Sequence, residues 1–214
     1  MRPTFALLTI ACWLAAAAAI ADPLTERYQS LLAAAEGDPA KADWGALRTT
    51  YAATPQFNVF GDPGAKHRLY GALQNGDDVG ALRIADQILA DDYVDMDAHN
   101  VAAQADAKLG RTREAAKHAA IARALAASVE TGDGLSPAGA FTVISVEEEY
   151  ALMRLLNLKV VNMVTGHAGP HHYDALDAVD AMGVKRTYFF LIDAVLAAEA
   201  AASEDKVPQP VQTR

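Results

Sequence analysis

The sequence predicts an α+β fold that is mostly α, with helical hairpin repeats followed by a small β-α-β-β-β module. Three observations predict it. Apolar residues recur at three- and four-residue spacing from Pro23 to about Thr131, the mark of helices with one buried face. Small residues inside that span repeat at a fixed interval. Beyond Thr131, glycine-marked breaks separate short β-type runs. Composition agrees, since 47 of the 214 residues are alanine and only 7% are aromatic. Alanine favours helix and buries little side-chain area, so a thin core is expected.

Leu24, Tyr28, Leu31 and Leu32 define a first helix, closed by Gly37-Asp38-Pro39. A second runs from Trp44 to about Ala53, with Leu47 and Tyr51 four apart, and Pro55 ends it. Residues 54–64, with Pro55, Gly61, Pro63 and Gly64, read as an irregular connection. Helices follow over Ala65 to Asn75, Asp77 to Ala90, Met96 to Leu109 and Thr112 to about Val129. Gly76 and Gly110 are 34 residues apart, and Ala81 and Ala115, and Ala85 and Ala119, keep the same interval. Helix, glycine turn, helix at that period is a tetratricopeptide-like repeat. Small side chains let the paired helices approach, and glycine keeps the turn short. The large residues of the full pattern are largely missing, with Ala65 and His99 at its first aromatic position. Two repeats are too few to stand alone, so flanking helices or another domain must cover their faces.

Gly132-Asp133-Gly134, Pro137 and Gly139 break the helical pattern, and Phe141-Thr142-Val143-Ile144 is a short β-type run. Glu147 to Leu156 returns to helix, with Tyr150, Met153 and Leu156 spaced by three. Val160 to Val164 is β-like, and Tyr173 to Met182 alternates apolar or small residues with Asp174, Asp177 and Asp180. Gly183 marks a turn before the partner strand, Lys185 to Asp193. From about Ala197 the chain is alanine- and charge-rich and then interrupted by Pro208 and Pro210, which reads as a frayed tail.

The expected organisation is therefore a signal peptide (1–21), a helical-repeat region (22–131), a small α+β module (132–196) and a flexible tail (197–214). Arg2 supplies a positive n-region, Phe5 to Ile20 carry no charge, and Ala19-Ile20-Ala21 places small residues where a signal peptidase reads. The apolar run falls short of the roughly 20 residues of a stable membrane span. Periplasmic or secreted localisation in a bacterium is the expectation, with no stable membrane span after cleavage. Cleavage also removes Cys12, the only cysteine, and with it thiol catalysis and cysteine-ligated zinc. A net charge of −9 argues against nonspecific binding to nucleic acid or anionic lipid.

Thr131-Gly132-Asp133-Gly134-Leu135-Ser136-Pro137, Ala140-Phe141, Val143-Ile144-Ser145-Val146 and Glu148-Glu149-Tyr150 resemble the hallmark of a bacterial family, domain of unknown function 4919. The resemblance reaches back through Leu47-Arg48, Tyr51, Asp97-Ala98-His99 and Lys117-His118, and forward to Tyr173-Asp174 and Tyr188-Phe189. It covers roughly residues 43–193. It implies an exported bacterial protein with no assigned activity, and brings no catalytic residue with it.

No phosphate-binding glycine loop, nucleophile elbow or HExxH sequence occurs, so no catalytic residue and no cofactor is assigned. The candidate polar cluster is His99, His118, Asp97 and Asp133. His99 lies eleven residues before the Gly110 turn and His118 eight after it, so an antiparallel hairpin brings them face to face. They are expected as packing residues bonded to backbone or to the 132–137 loop, with a base or ligand role as the alternative. Asp133 reads as a turn residue accepting backbone N–H groups. His167, His171, His172 and Asp174 form a weak metal candidate, placed by Gly166, Ala168, Gly169 and Pro170 in a flexible loop. Glu147-Glu148-Glu149 reads as a solvated run opening a helix. The functional expectation is a non-catalytic module binding a protein or peptide partner in the cell envelope. The alternative is a histidine-based metal-binding protein or hydrolase.

Overall fold

The computed structural model describes residues 22–204. The leader at 1–21, with Cys12, and the Pro208–Pro210 part of the tail lie outside the described residues. Six helices come first: α1 (Pro23–Gly37), α2 (Trp44–Ala52), α3 (Pro63–Gln74), α4 (Asp78–Asp91), α5 (Met96–Lys108) and α6 (Thr112–Val129). Four of them start at an aspartate whose carboxylate accepts a backbone N–H three residues on. Asp43 takes Ala46 N at 2.9 Å, Asp62 takes Ala65 N at 2.9 Å, Asp77 takes Gly80 N at 2.9 Å, and Asp95 takes Ala98 N at 2.8 Å. Each aspartate fills one otherwise unpaired donor of the first turn.

The two repeat glycines end α3 and α5 identically. Gly76 and Gly110 have φ of 71° and 77°, and the N–H of the next residue reaches back to Ala72 O and Asp106 O, at 3.0 Å and 2.8 Å. This left-handed closure is the glycine C-cap that reverses a helix in two residues. The resulting hairpins, α3–α4 and α5–α6, stack through α4 against α5. Ala81, Ala85, Ala98, Ala102 and Ala105 are fully buried there with Leu69 and Val101, forming a small core of their own. No helix among the described residues is long and apolar enough to cross a membrane.

After a 3-10 turn at Pro137–Gly139 the module reads β1 (Phe141–Thr142), α7 (Val146–Leu155), β2 (Lys159–Ala168), β3 (His171–Val179) and β4 (Lys185–Leu191), the expected β-α-β-β-β order. The sheet order is β1-β4-β3-β2. β1 pairs parallel with β4, Phe141 facing Phe190, and β3 pairs antiparallel with both β4 and β2. Along β3 the inward residues Asp174, Leu176 and Ala178 alternate with half-buried neighbours. Leu176 and Ala178 share the main core with Phe190, Leu152, Met153, Leu125, Val129, Leu47 and Tyr51, so α2, α6 and α7 close over one face of the sheet and α1 packs on α2. The flanking helices thus cover the repeats, as two repeats require.

Two spans differ from expectation. β2 runs on to Ala168, because the chain reverses in the two residues Gly169-Pro170 and His167 pairs directly with His172. Residues 193–204, read partly as strand and partly as tail, form helix α8 (Asp193–Glu204), with Val195 buried and Ala198 and Ala202 packed on the main core. Its alanines carry little hydrophobic signal, and one buried valine with two small neighbours suffices to seat it.

Candidate functional site

Two arginine–carboxylate forks and one lysine tie the helices to the module. Arg48, fully buried on α2, gives Glu148 a bidentate pair, Nε to Oε1 and Nη2 to Oε2, both 2.6 Å. Its remaining donors reach Ser128 O at 2.9 Å and Thr142 O at 3.1 Å. Glu148 in turn accepts Ile144 N at 2.9 Å, so the guanidinium is enclosed by α6, β1 and the start of α7. On α7, Arg154 makes the second fork to Asp97, with Nε to Oδ1 at 3.0 Å and Nη2 to Oδ2, and lies 5.3 Å from the Tyr70 ring centre. The Asp97 carboxyl is held below its usual range. Burial alone would raise it, and the Arg154 bonds and the Lys66 charge outweigh burial.

Lys66 lies one turn into α3 and joins three carboxylates: Asp95, Asp97 Oδ2 at 3.5 Å and Glu147 Oε2 at 3.8 Å. Burial would lower its pKa, but Asp95 and Asp97 together hold it above the usual lysine value. Beside it a groove of about 440 Å³ opens between α3, α4 and the 54–62 connection. Tyr51, Ile84 and Ile88 give it an apolar floor. Asp62, Asp91, Asp92, Asp95 and Glu147 line it against the cations Lys66 and Arg68. Asp92 is pushed well above the usual carboxylate range by burial and by the neighbouring Asp95 charge, and Glu147 rises for the same two reasons, burial and Asp95, against Lys66. The groove is thus an open, polar-walled slot with excess negative charge. Its size lies within the roughly 300–1,000 Å³ of ligand sites.

The sequence-derived cluster divides. His99 and His118 meet across the α5–α6 hairpin, Nδ1 to Nδ1 at 2.9 Å, and His99 Nε2 bonds Tyr93 O at 2.9 Å. Burial drops the His99 pKa to about 3, and burial also lowers that of His118. Asp97 stands two residues before His99, roughly 200° round a helix of 3.6 residues per turn. It therefore turns to Arg154 and Lys66. Asp133 is exposed and accepts Leu135 N at 2.9 Å, a turn bond within its own loop. Nothing brings Asp133 to the histidine pair.

The second histidine group also divides, and its flexible-loop placement is corrected. The three rings sit on the β2–β3 hairpin, where a two-residue turn leaves no loop. His171 Nδ1 and His172 Nδ1 lie 2.6 Å and 3.2 Å from the two oxygens of Asp193 at the start of α8. Asp174 follows His172 on the same face of β3 but is buried and bonded elsewhere, accepting Thr165 Oγ1 at 2.5 Å. Among the described residues no three His, Cys, Asp or Glu side chains are grouped to hold a metal ion.

The acidic run opening α7 is likewise not a solvated face. Glu148 and Glu149 are 7% and 0% exposed. Three successive helical residues span about 200°, wider than the solvent-facing side of a packed helix, and that geometry was the available signal. Glu149 has neither oxygen in a hydrogen bond within the usual geometry. Burial, then the Asp174 charge, push its carboxyl up to about 9. It is a neutral acid at pH 7. Lys66, Arg48 and Arg154 carried no signal of their own, since an isolated cation on a helix reads as solvated.

No curated protein and no solved structure matches this chain significantly. One family model does, described as Domain of unknown function (DUF4919), over residues 67–200. That span runs from α3 into α8 and takes in Asp97, His99, His118, Asp133, Glu148, Glu149 and Asp174. With more than half of its length matched, the chain belongs to this family of unknown function.

Proposed function

We propose that the chain is an exported bacterial protein that works as a non-catalytic peptide-binding module, taking a basic segment of a partner in the groove beside Lys66. The observation that carries this reading is the composition of that groove: five acidic side chains against two basic ones above an apolar floor of Tyr51, Ile84 and Ile88. A lysine or arginine stem lies favourably along apolar side chains while its head meets carboxylates. The groove walls are helix termini and one connection held by aspartate caps, so the site is preformed. The leader pattern at residues 1–21 supports export to the periplasm or beyond. Nothing in the geometry favours a histidine-based metal-binding protein or hydrolase, because His99 with His118 and His171 with His172 form two separate pairs bonded to protein partners.

Calorimetric titration with short lysine- and arginine-containing peptides, against charge-reversed controls, tests the reading. Basic peptides are expected to bind, more weakly as salt rises, and Asp91→Lys with Asp62→Asn, which keeps the α3 cap, is expected to abolish the signal with the thermal transition retained. No binding by any basic peptide, or binding unchanged in the double variant, would overturn it.

A further inference from the structure

The groove beside Lys66 does not end at its own rim. Gln56 and Asp91, which line it, also form one wall of a second chamber of about 370 Å³. That chamber is bounded by the ends of two helices: Glu36 belongs to the last turn of α1 and Asp91 to that of α4, with Tyr28 and Tyr93 beside them. No lysine, arginine or histidine lines it. Neither α1 nor α4 has a basic residue in its last turn, so the negative ends of both helix dipoles reach the chamber uncompensated. Lys41, just beyond α1, is taken up by Asp38 at 2.9 Å. The chamber also holds an unsatisfied polar group. Tyr28 is 3% exposed, yet its hydroxyl makes no hydrogen bond among the described residues. Burial first, then the neighbouring Asp92 and Glu36, raise its pKa to about 12, so it stays a neutral phenol whose lone pairs can accept from N–H donors.

We propose that this chamber is a second cation subsite, holding the ammonium or guanidinium head of another lysine or arginine of the segment bound beside Lys66; the inference rests on that reading of the groove. Charge sign selects the occupant. Two acidic side chains, two helix C-termini and a phenol oxygen all favour a cation and oppose an anion. No basic side chain among the described residues lies there to compete. The Lys66 groove differs, since Lys66 and Arg68 offset part of its acidic wall. Leu32 and Tyr93 give the stem of a long side chain apolar surface to lie on. Spacing follows from the shared wall. Chambers of 440 Å³ and 370 Å³ meet at Gln56 and Asp91. Their centres are then one chamber width apart, roughly 8 Å, and residues i and i+2 of an extended peptide point the same way about 7 Å apart. The favoured segment therefore carries two basic residues separated by one.

Calorimetric titration with three peptides of equal length tests the subsite: one with a single lysine, one with two lysines separated by one residue, and one with two lysines separated by six. The close pair is expected to bind about tenfold more tightly than the single lysine, and the distant pair to gain only a small part of that. Tyr28→Phe with Glu36→Gln keeps the ring and the helix, and is expected to bind the single lysine and the close pair alike with an unchanged melting transition. Equal affinity for those two peptides in wild type would overturn the subsite and leave the Lys66 reading standing. So would an equal gain at both spacings, or a gain that survives in the double variant, since either is a long-range effect of the chain's negative charge. No binding by any of the three peptides would overturn both.

Discussion

His99 Nδ1 stands 2.9 Å from His118 Nδ1, and the carbonyl of Tyr93 decides which ring carries the proton between them. A carbonyl only accepts, so His99 Nε2 holds a hydrogen and His99 Nδ1, in the neutral ring, accepts. His118 must then donate through Nδ1–H. The two rings are opposite tautomers, which nitrogen-15 spectra of the imidazoles are expected to show directly. Adding a proton to His118 at Nε2 leaves the shared bond intact. Adding one to His99 places two donors face to face and breaks it.

The first stability prediction follows from that asymmetry. His99 titrates near 6.5 when unfolded and about 3 when folded, so the unfolded chain takes up the extra proton between those values. Its contribution is fully present above pH 6.5 and is lost as pH falls towards 3, by about 1.4 kcal/mol per pH unit. The groups facing His118 are Asp106 and Asp86, which raise its pKa, and Lys117, which lowers it. His99→Ala and His118→Ala are each expected to cost about 1–2 kcal/mol at pH 7, as the Tyr93 carbonyl or the partner ring loses its bond. Denaturant unfolding at pH 5, 6 and 7 measures both effects, and His99→Ala should flatten the decline below pH 6.5.

Glu149 has the opposite slope. Unfolded, it ionises near 4.5; folded, buried beside Asp174, it stays neutral up to about 9. Stability on its account is greatest below pH 4.5 and falls as pH rises towards 9, again by about 1.4 kcal/mol per unit. Glu149→Gln removes that slope while keeping the shape. The variant is expected to match wild type within about 1 kcal/mol at pH 4 and to be clearly more stable at pH 8. Between 4.5 and 6.5 the His99 and Glu149 slopes oppose each other, so each variant exposes the slope of the other residue. A Glu149→Gln chain that melts below wild type at pH 8 would contradict a neutral Glu149.

Helix positions were legible because their signals are local. Apolar residues three and four apart mark the spans, and Gly76 and Gly110 turn the chain within two residues. The His99–His118 contact was legible by counting from Gly110, since an antiparallel hairpin brings together residues eleven before and eight after its turn. The Lys66 site was not. Its partners Asp95, Asp97 and Glu147 are brought to it by the stacking of α3 on α5 and α7, and no interval in the sequence encodes that. Glu149 and Asp174 meet for the same reason, across α7 and β3. Helix α8 leaves no mark in the sequence, because alanines give no periodicity until a surface exists to receive them.

The glycines give a prediction of opposed signs. Gly110 needs its φ of 77° to close α5, and an alanine there is strained although space is open around it. Gly110→Ala is expected to destabilise by about 1 kcal/mol. Gly71 lies inside α3, at ordinary helical φ, with nothing within 4 Å of an added methyl. Gly71→Ala is expected to stabilise by roughly 0.5–1 kcal/mol. Paired thermal melts check both, and a Gly110→Ala chain as stable as wild type would mean that the repeat turn does not require glycine.

Arg48 and Glu148 allow the fork to be tested as a pair. Both are buried, the carboxylate accepts Ile144 N besides its two guanidinium bonds, and the guanidinium also donates to Ser128 O and Thr142 O. Arg48→Ala leaves a buried carboxylate without its cation and is expected to cost about 3–5 kcal/mol. Glu148→Ala strands the guanidinium and is expected to cost a similar amount. The double variant Arg48→Met, Glu148→Met removes both charges and fills the space, so its loss should fall well short of the sum of the single losses. What remains in the double variant is the cost of Ser128 O, Thr142 O and Ile144 N left without partners. A double loss equal to the sum would mean that Arg48 and Glu148 act independently, and that the carbonyl and amide contacts, not the ion pair, hold α2 to α7.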